Sequence, residues 1–150
     1  MSKPRVPFET TLLVRDSCLC LSVQQAARAL ARRFDDALRP LELTNGQFSL
    51  LMSLNRPAPP KMGDVAQLLS MDRTTLTAAL KLLERRGLVV TKSDDDDRRS
   101  RRIALTRAGH ALLLKALPIW KRHHAQLEKY LGGPNANKLR DDLEYLSRIA

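Results

Sequence analysis

The chain has 150 residues, 43% hydrophobic and 28% charged, which suits one folded domain with its own core and excludes a disordered polymer. Lys and Arg number 26 against 16 Asp and Glu, a net +10 that points to a polyanionic partner. No apolar run reaches the roughly 20 residues of a membrane span, no secretory signal opens the chain, and two cysteines exclude a disulfide framework, so a cytoplasmic protein without membrane contact is expected.

Residues 1 to 15 hold Pro4 and Pro7, show no apolar period, and read as an arm. From Asp16 to Leu38 the apolar residues Val23, Ala27, Leu30, Phe34 and Leu38 recur at helical spacing, predicting a long first helix that Pro40 ends. Thr44 is placed to cap a second helix, Gly46 to Leu54, carrying Phe48, Leu51 and Met52 inward; Pro57-Ala58-Pro59-Pro60 then reads as a connector. A short helix from Met62 to Leu69, with Val65, Leu68 and Leu69 as its apolar side, leads through a turn into a helix capped by Asp72. That helix runs through Arg86, and Gly87 supplies the left-handed residue beyond it. The local motif is helix-turn-helix.

Leu88-Val89-Val90-Thr91 and Arg102-Ile103-Ala104-Leu105-Thr106 read as two strands around the charged turn 93–100, a β-hairpin. Thr106 is also placed to cap a long helix with the stripe Leu113, Leu117, Trp120, His124, Leu127 and Leu131, kinked by Pro118. Gly132-Gly133-Pro134 breaks it, and Leu139, Leu143, Leu146 and Ala150 mark a last helix. The fold class is therefore mainly α with a small β-hairpin: a winged helix-turn-helix lobe, about 44–106, between terminal helices of about 16–38, 107–131 and 135–150. The terminal helices carry apolar stripes that one chain cannot cover, so they are expected to pair in a twofold homodimer.

Aromatic residues make up only 4% of the chain, too few for the ring platforms of single-strand binders, so duplex DNA is the expected partner. On the helix from Asp72, Leu76, Ala79, Leu80 and Leu83 share the core side. Thr74, Thr77, Ala78, Lys81 and Arg85 share the outer side, which reads as small, hydroxyl-bearing, basic and free of acids. Such a face fits a major groove, with Arg73 and Thr75 at its N-terminal end. At the hairpin tip, Asp97 and Arg99 are expected to pair across the turn and hold one guanidinium outward for a minor groove. Arg98, Arg101 and Arg102 supply surrounding charge. The acidic run lacks the spacing, central glycine and distal glutamate of a calcium loop.

Leu-Glu-Arg-Arg-Gly-Leu-Val over 83–89, then Asp97-Arg98-Arg99 and Leu105-Thr106-Arg107-Ala108-Gly109, resemble the MarR family of bacterial transcription regulators. The resemblance runs from about Cys20 to the last helix. It implies a homodimer joined by its first and last helices, a recognition helix from Asp72, and a wing whose minor-groove arginine is Arg99, oriented by Asp97. It further implies a regulator, expected to be a repressor, bound to a pseudo-palindromic operator and released by a small phenolic or aromatic inducer. Where many members have an arginine after the recognition-helix threonine, Thr77 is followed here by Ala78, so the operator sequence does not carry over.

The expected inducer pocket is lined by Cys20, Gln24, Phe48, Met52, Leu117 and Trp120, with an arginine as a possible anchor for a carboxylate or phenolate. Cys20 also resembles in position the reactive cysteine of the family's organic-peroxide sensors, although Gln24 and Phe34 stand where those place tyrosines. Cys18 and Cys20, read as lying on one helix, are too close for an easy intrachain disulfide. Cys18, Cys20, His123 and His124 do not share a face suited to a metal, and no metal or cofactor is expected. With no catalytic signature, the chain is read as a regulator; the alternatives are a thiol enzyme or peroxide scavenger using Cys20 and a non-specific architectural DNA-binding protein.

Overall fold

The computed structural model describes residues 3–150, in the order α1 (Phe8–Ser17), α2 (Leu19–Leu38), a 3-10 turn (Arg39–Leu41), α3 (Asn45–Ser53), α4 (Met62–Leu68), α5 (Arg73–Arg85), β1 (Val89–Ser93), β2 (Arg101–Leu105), α6 (Arg107–Leu131) and α7 (Gly133–Ile149). The chain divides into two compact units, one ending at Arg33 and one from Phe34 to Ala150.

The first unit corrects the expected arm, of which residues 1 and 2 lie outside the described residues. Pro7, rather than breaking structure, stands at the N-cap of α1, where its fixed φ and missing N–H cost nothing. No side chain of α1 is buried, so it leaves no periodic trace in the sequence; Phe8 and Leu13 are 69% and 64% exposed. The long first helix does not begin at Asp16 either. The backbone is extended at Cys18, and α2 starts at Leu19. Cys18 thus lies in the break between two helices, which removes the premise that both cysteines share one. Of the α2 stripe, Val23 and Leu30 are exposed.

The second unit holds the core. Leu38, Leu51, Val65, Leu76, Leu83 and Ile103 are sealed from solvent, joined by Phe48, Leu50, Leu54, Leu80, Leu88, Val89 and Leu113. Local chemistry starts the helices as the sequence predicts. Thr44 accepts the Gln47 N–H while the Gln47 side chain accepts the Thr44 N–H, a reciprocal cap that opens α3. Asp35, at the end of α2, accepts the Asn45 backbone N–H at 2.7 Å, and that bond holds its carboxyl below the usual range. Asp72 caps α5, and Gly87 takes φ 71° beyond it. The inward set of α4 differs from expectation: Val65 and Ala66 are buried, Leu69 is partly buried, and Leu68 is 59% exposed.

β1 and β2 pair antiparallel with Val89 opposite Leu105 and Ser93 opposite Arg101. The proline-rich segment is more than a connector. The Ile103 N–H donates to the Pro60 carbonyl at 3.1 Å, and Lys61 forms an isolated bridge with Arg102, so the segment lies along β2. The Thr106 side chain donates to the Gly87 carbonyl at 2.6 Å and accepts the Gly109 N–H at 3.1 Å, fixing where the hairpin ends and α6 begins. α6 runs through Pro118 to Leu131 without ending. Along its stripe burial declines: Leu113 is buried, Leu117, Trp120, His124 and Leu127 are half-buried, and Leu131 is exposed. On α7, Leu139 and Leu143 are also exposed, at 44% and 42%.

Candidate nucleic-acid interface and ligand cavity

α5 buries Leu76, Leu80 and Leu83 and partly buries Ala79, which leaves its opposite side to solvent. Its N-terminus is held by two bonds to Asp72: the Thr75 N–H donates at 2.8 Å and the Thr75 hydroxyl at 2.7 Å. The backbone bond, the larger cause, holds the Asp72 carboxyl below the ordinary carboxylate range. Thr75, expected at the nucleic-acid face, therefore has its proton engaged in the cap. The Thr77 hydroxyl likewise donates back to the Arg73 carbonyl, at 2.7 Å.

Arg73, Thr74, Thr77, Ala78 and Lys81 line one concave surface. Thr77 and Lys81 also line a second groove, shared with Met62, Leu80, Glu84, Thr91 and Arg101. The two depressions therefore adjoin at Thr77 and Lys81, one on the outer side of α5 and the other reaching Arg101 of β2. Arg85, Arg98 and Arg99 are exposed. Glu84 corrects the expectation of an acid-free face: it lies three residues after Lys81, lines the groove, and accepts a hydrogen bond from the Thr91 hydroxyl. The i+3 spacing is visible in the sequence and was sufficient to find it. Arg86, by contrast, donates to the Glu42 carbonyl at 2.7 Å and ties α5 to the residue after the 3-10 turn.

The hairpin solves the problem of acids beside phosphates. Asp94 is turned inward and only 3% exposed, between Arg102 Nε at 3.2 Å and Lys61 Nζ at 3.4 Å. The Arg102 hydrogen bond above all holds its carboxyl below the usual range. Arg102 also donates to the Pro59 carbonyl at 2.8 Å, so it fastens the hairpin to 59–61 and is not free surface charge. Asp97 does not pair with the Arg99 guanidinium as expected; its carboxylate accepts the Arg99 backbone N–H at 3.0 Å and shapes the turn.

A lowered carboxyl favours the folded chain above the ordinary range near 4, and that advantage disappears as pH falls through the depressed value. Asp94→Asn should therefore lower the thermal midpoint at neutral pH, with the gap to the unmodified protein closing on acidification; a gap independent of pH in thermal melts would refute the role of the charge.

Phe48, Met52, Leu117 and Trp120, four of the expected pocket residues, line one cavity of about 420 Å3 with Ser49, Ser53, Leu68 and Leu69. Phe48 and Trp120 stack with ring centroids 6.2 Å apart, and His124 stacks on Trp120 at 4.6 Å. Cys20 and Gln24 are not among the lining residues and belong to the first unit, and no arginine lines the cavity. The two pair with each other: the Gln24 amide donates to the exposed Cys20 sulfur at 3.0 Å, while the Leu21 N–H donates to Cys18 Sγ at 3.4 Å. Among the described residues no three His, Cys, Asp or Glu side chains could hold a metal ion, and no helix is long and apolar enough to cross a membrane.

A family model described as the MarR family matches residues 41–100. The chain is 30% identical over 135 residues to the transcriptional activatory protein BadR of Rhodopseudomonas palustris, covering 87% of this chain and 75% of that one. It is 31% identical to the organic hydroperoxide resistance transcriptional regulator of Bacillus subtilis, over 67% of this chain and 69% of that one. Among solved structures, the Mycobacterium tuberculosis regulator MosR in complex with DNA superposes with a TM-score of 0.81 at 36% identity, covering 88% of this chain and 95% of that one. The repressor CouR bound to p-coumaroyl-CoA does so with a TM-score of 0.81 at 27% identity, covering 91% and 96%.

Proposed function

The chain belongs to the MarR family of winged-helix transcription regulators, and from that premise we propose how this DNA-binding regulator meets its operator and what releases it. The observation that carries the reading is the pair of adjoining depressions between α5 and β2, with Thr77 and Lys81 common to both. α5 enters a major groove. There Thr74, Thr77 and Ala78 allow close approach, while Arg73, Lys81 and Arg85 meet base edges and phosphates. The hairpin lies over the adjacent minor groove, with Arg99 inserted and Arg98 and Arg101 on the flanking backbone. Asp97 sets the turn that presents Arg99, through the backbone rather than through an ion pair.

Two copies joined through α2, α6 and α7 would place two recognition helices about 34 Å apart on a pseudo-palindromic site. Support comes from the exposed apolar residues Val23, Leu30, Leu139 and Leu143, an unusual amount of greasy surface for a solitary chain. Arg99→Ala should weaken operator binding by about 1–3 kcal/mol at fixed salt. Unchanged affinity in a fluorescence-anisotropy titration would remove the hairpin arginine from the mechanism.

The cavity lined by Phe48, Met52, Leu117 and Trp120 is the proposed inducer site, since it joins α3 and α6 to α4, the helix that precedes the reading helix. Occupancy there would tilt α4 and α5 and weaken the DNA complex; repression by operator occlusion, relieved by the inducer, is the simplest regulatory outcome. The chain is read as binding, not turning over, its ligand.

A second reading, a thiol response at Cys20, draws on the Gln24 amide donating to an exposed sulfur and on the likeness to a hydroperoxide-resistance regulator. The amide supplies the hydrogen-bond donor that the missing tyrosines would have given. On this reading Cys20→Ser leaves DNA affinity intact and abolishes release by an organic hydroperoxide, consumed stoichiometrically. Release that persists in the variant would exclude the thiol.

A further inference from the structure

Resting on the hairpin reading above, we infer that Asp94 is a positioning residue for the operator complex. Gripped by Arg102 and Lys61, it fixes the arginine-bearing tip to the start of α4, so that hairpin and helix-turn-helix meet DNA as one body. Four acids stand in a row at 94–97, and only the first is buried; Asp95, Asp96 and Asp97 are exposed. The two oxygens of Asp94 are divided between two segments. Oδ1 meets Arg102 Nε of β2 at 3.2 Å, while Oδ2, sealed from solvent, faces Lys61 Nζ at 3.4 Å. Lys61 is the N-cap residue of α4, the first helix of the helix-turn-helix. Arg102 closes the clamp, donating to the Pro59 carbonyl at 2.8 Å and bridging Lys61 through the backbone.

On its other side Asp94 organises the tip. Its backbone N–H donates to the Ser100 carbonyl at 3.0 Å and closes the loop, and the Asp96 N–H donates to Asp94 Oδ1 at 3.3 Å. The Ser100 N–H donates in turn to the Asp97 carbonyl at 3.0 Å, and the Asp97 carboxylate accepts the Arg99 N–H. A run of polar contacts thus leads from Lys61 through Asp94 to the backbone of Arg99. A buried ion cluster gains little stability over apolar packing of the same volume, but its charge-assisted bonds are directional. Direction is what a tip needs if one guanidinium is to enter a narrow groove, and order imposed before binding is not a cost of binding.

Charge and position call for opposite signs in Asp94→Asn. The variant loses a negative charge close to a polyanion, so electrostatics alone would tighten the complex. A freed tip weakens it instead. The experiment titrates a duplex selected from bound genomic fragments with the full chain at fixed salt, by fluorescence anisotropy, and Asp94→Asn is expected to bind at least about fivefold more weakly. Arg99→Ala, which costs the unmodified protein about five- to 150-fold, is expected to cost no more than about twofold in the Asp94→Asn background. A loss of folding alone would leave the two effects independent. Circular dichroism at the assay temperature establishes that each variant is folded. Lys61→Met, which removes only the ammonium, carries the same cycle should Asp94→Asn not fold. Tighter binding by Asp94→Asn, or an Arg99→Ala loss undiminished in the folded background, overturns the positioning role and leaves the hairpin arginine in the mechanism. No Arg99→Ala loss in the unmodified protein overturns the hairpin reading and this inference together.

Discussion

Operator affinity is expected to fall by about three orders of magnitude or more when monovalent salt is raised from about 50 to 200 mM. The reason lies in which cations the fold spends internally and which it leaves outward. Arg86 is committed to the Glu42 carbonyl, and Arg102 and Lys61 to Asp94. Arg73, Lys81, Arg85, Arg98, Arg99 and Arg101 remain exposed along α5 and the hairpin. In a twofold complex these reach the range of about 6–10 phosphate contacts per duplex, each releasing condensed counterions. Glu84 subtracts from the field beside Lys81, but its carboxylate already accepts from Thr91. Binding titrations at several salt concentrations read the slope of log K against log salt. A slope near zero would mean that these side chains do not meet a duplex backbone.

Gly109→Ala is expected to cost about 3 kcal/mol of folding stability, lowering the thermal midpoint by roughly 6–12 °C. A Cβ at Gly109 would sit 2.2 Å from the Leu88 carbonyl oxygen and 3.2 Å from Leu105 Cδ2. The first contact is with backbone, which cannot rotate away, so either α6 or β1 has to move. The usual helix-propensity gain of Ala over Gly, about 1 kcal/mol, is too small to offset this. Displacement would also strain the Thr106 cap and its bond to Gly87, which set the hairpin against α5. Loss of operator affinity should therefore accompany the loss of stability. A variant as stable as the original, measured by urea unfolding, would show that the close approach is not maintained in solution.

Capping chemistry is local, and for that reason Thr44, Asp72, Thr106 and Gly87 are all legible in the sequence. The helix-turn-helix, the hairpin and the outer set Thr74, Thr77, Ala78, Lys81 and Arg85 followed from period and spacing. α1 was not legible, because Pro4 and Pro7 read as breakers and the helix buries nothing that would print a stripe. The break at Cys18 holds neither glycine nor proline and is equally silent. The role of Asp94 depends on Lys61 and on the segment beside β2, a tertiary arrangement that an acidic run does not announce. Leu68 reads as inward on apolar character alone, but in the fold it edges the cavity. Cys20 and Gln24 read as pocket residues in the sequence, whereas the structure pairs them with each other.

The most direct measurement is a competition titration at fixed, near-physiological salt, with a duplex selected from bound genomic fragments set against random duplex of equal length. The selected duplex is expected to bind about a thousandfold or more tightly than random sequence, saturating at two protomers per site. Equal affinity for both duplexes would contradict it, leaving a basic protein that coats DNA without reading it.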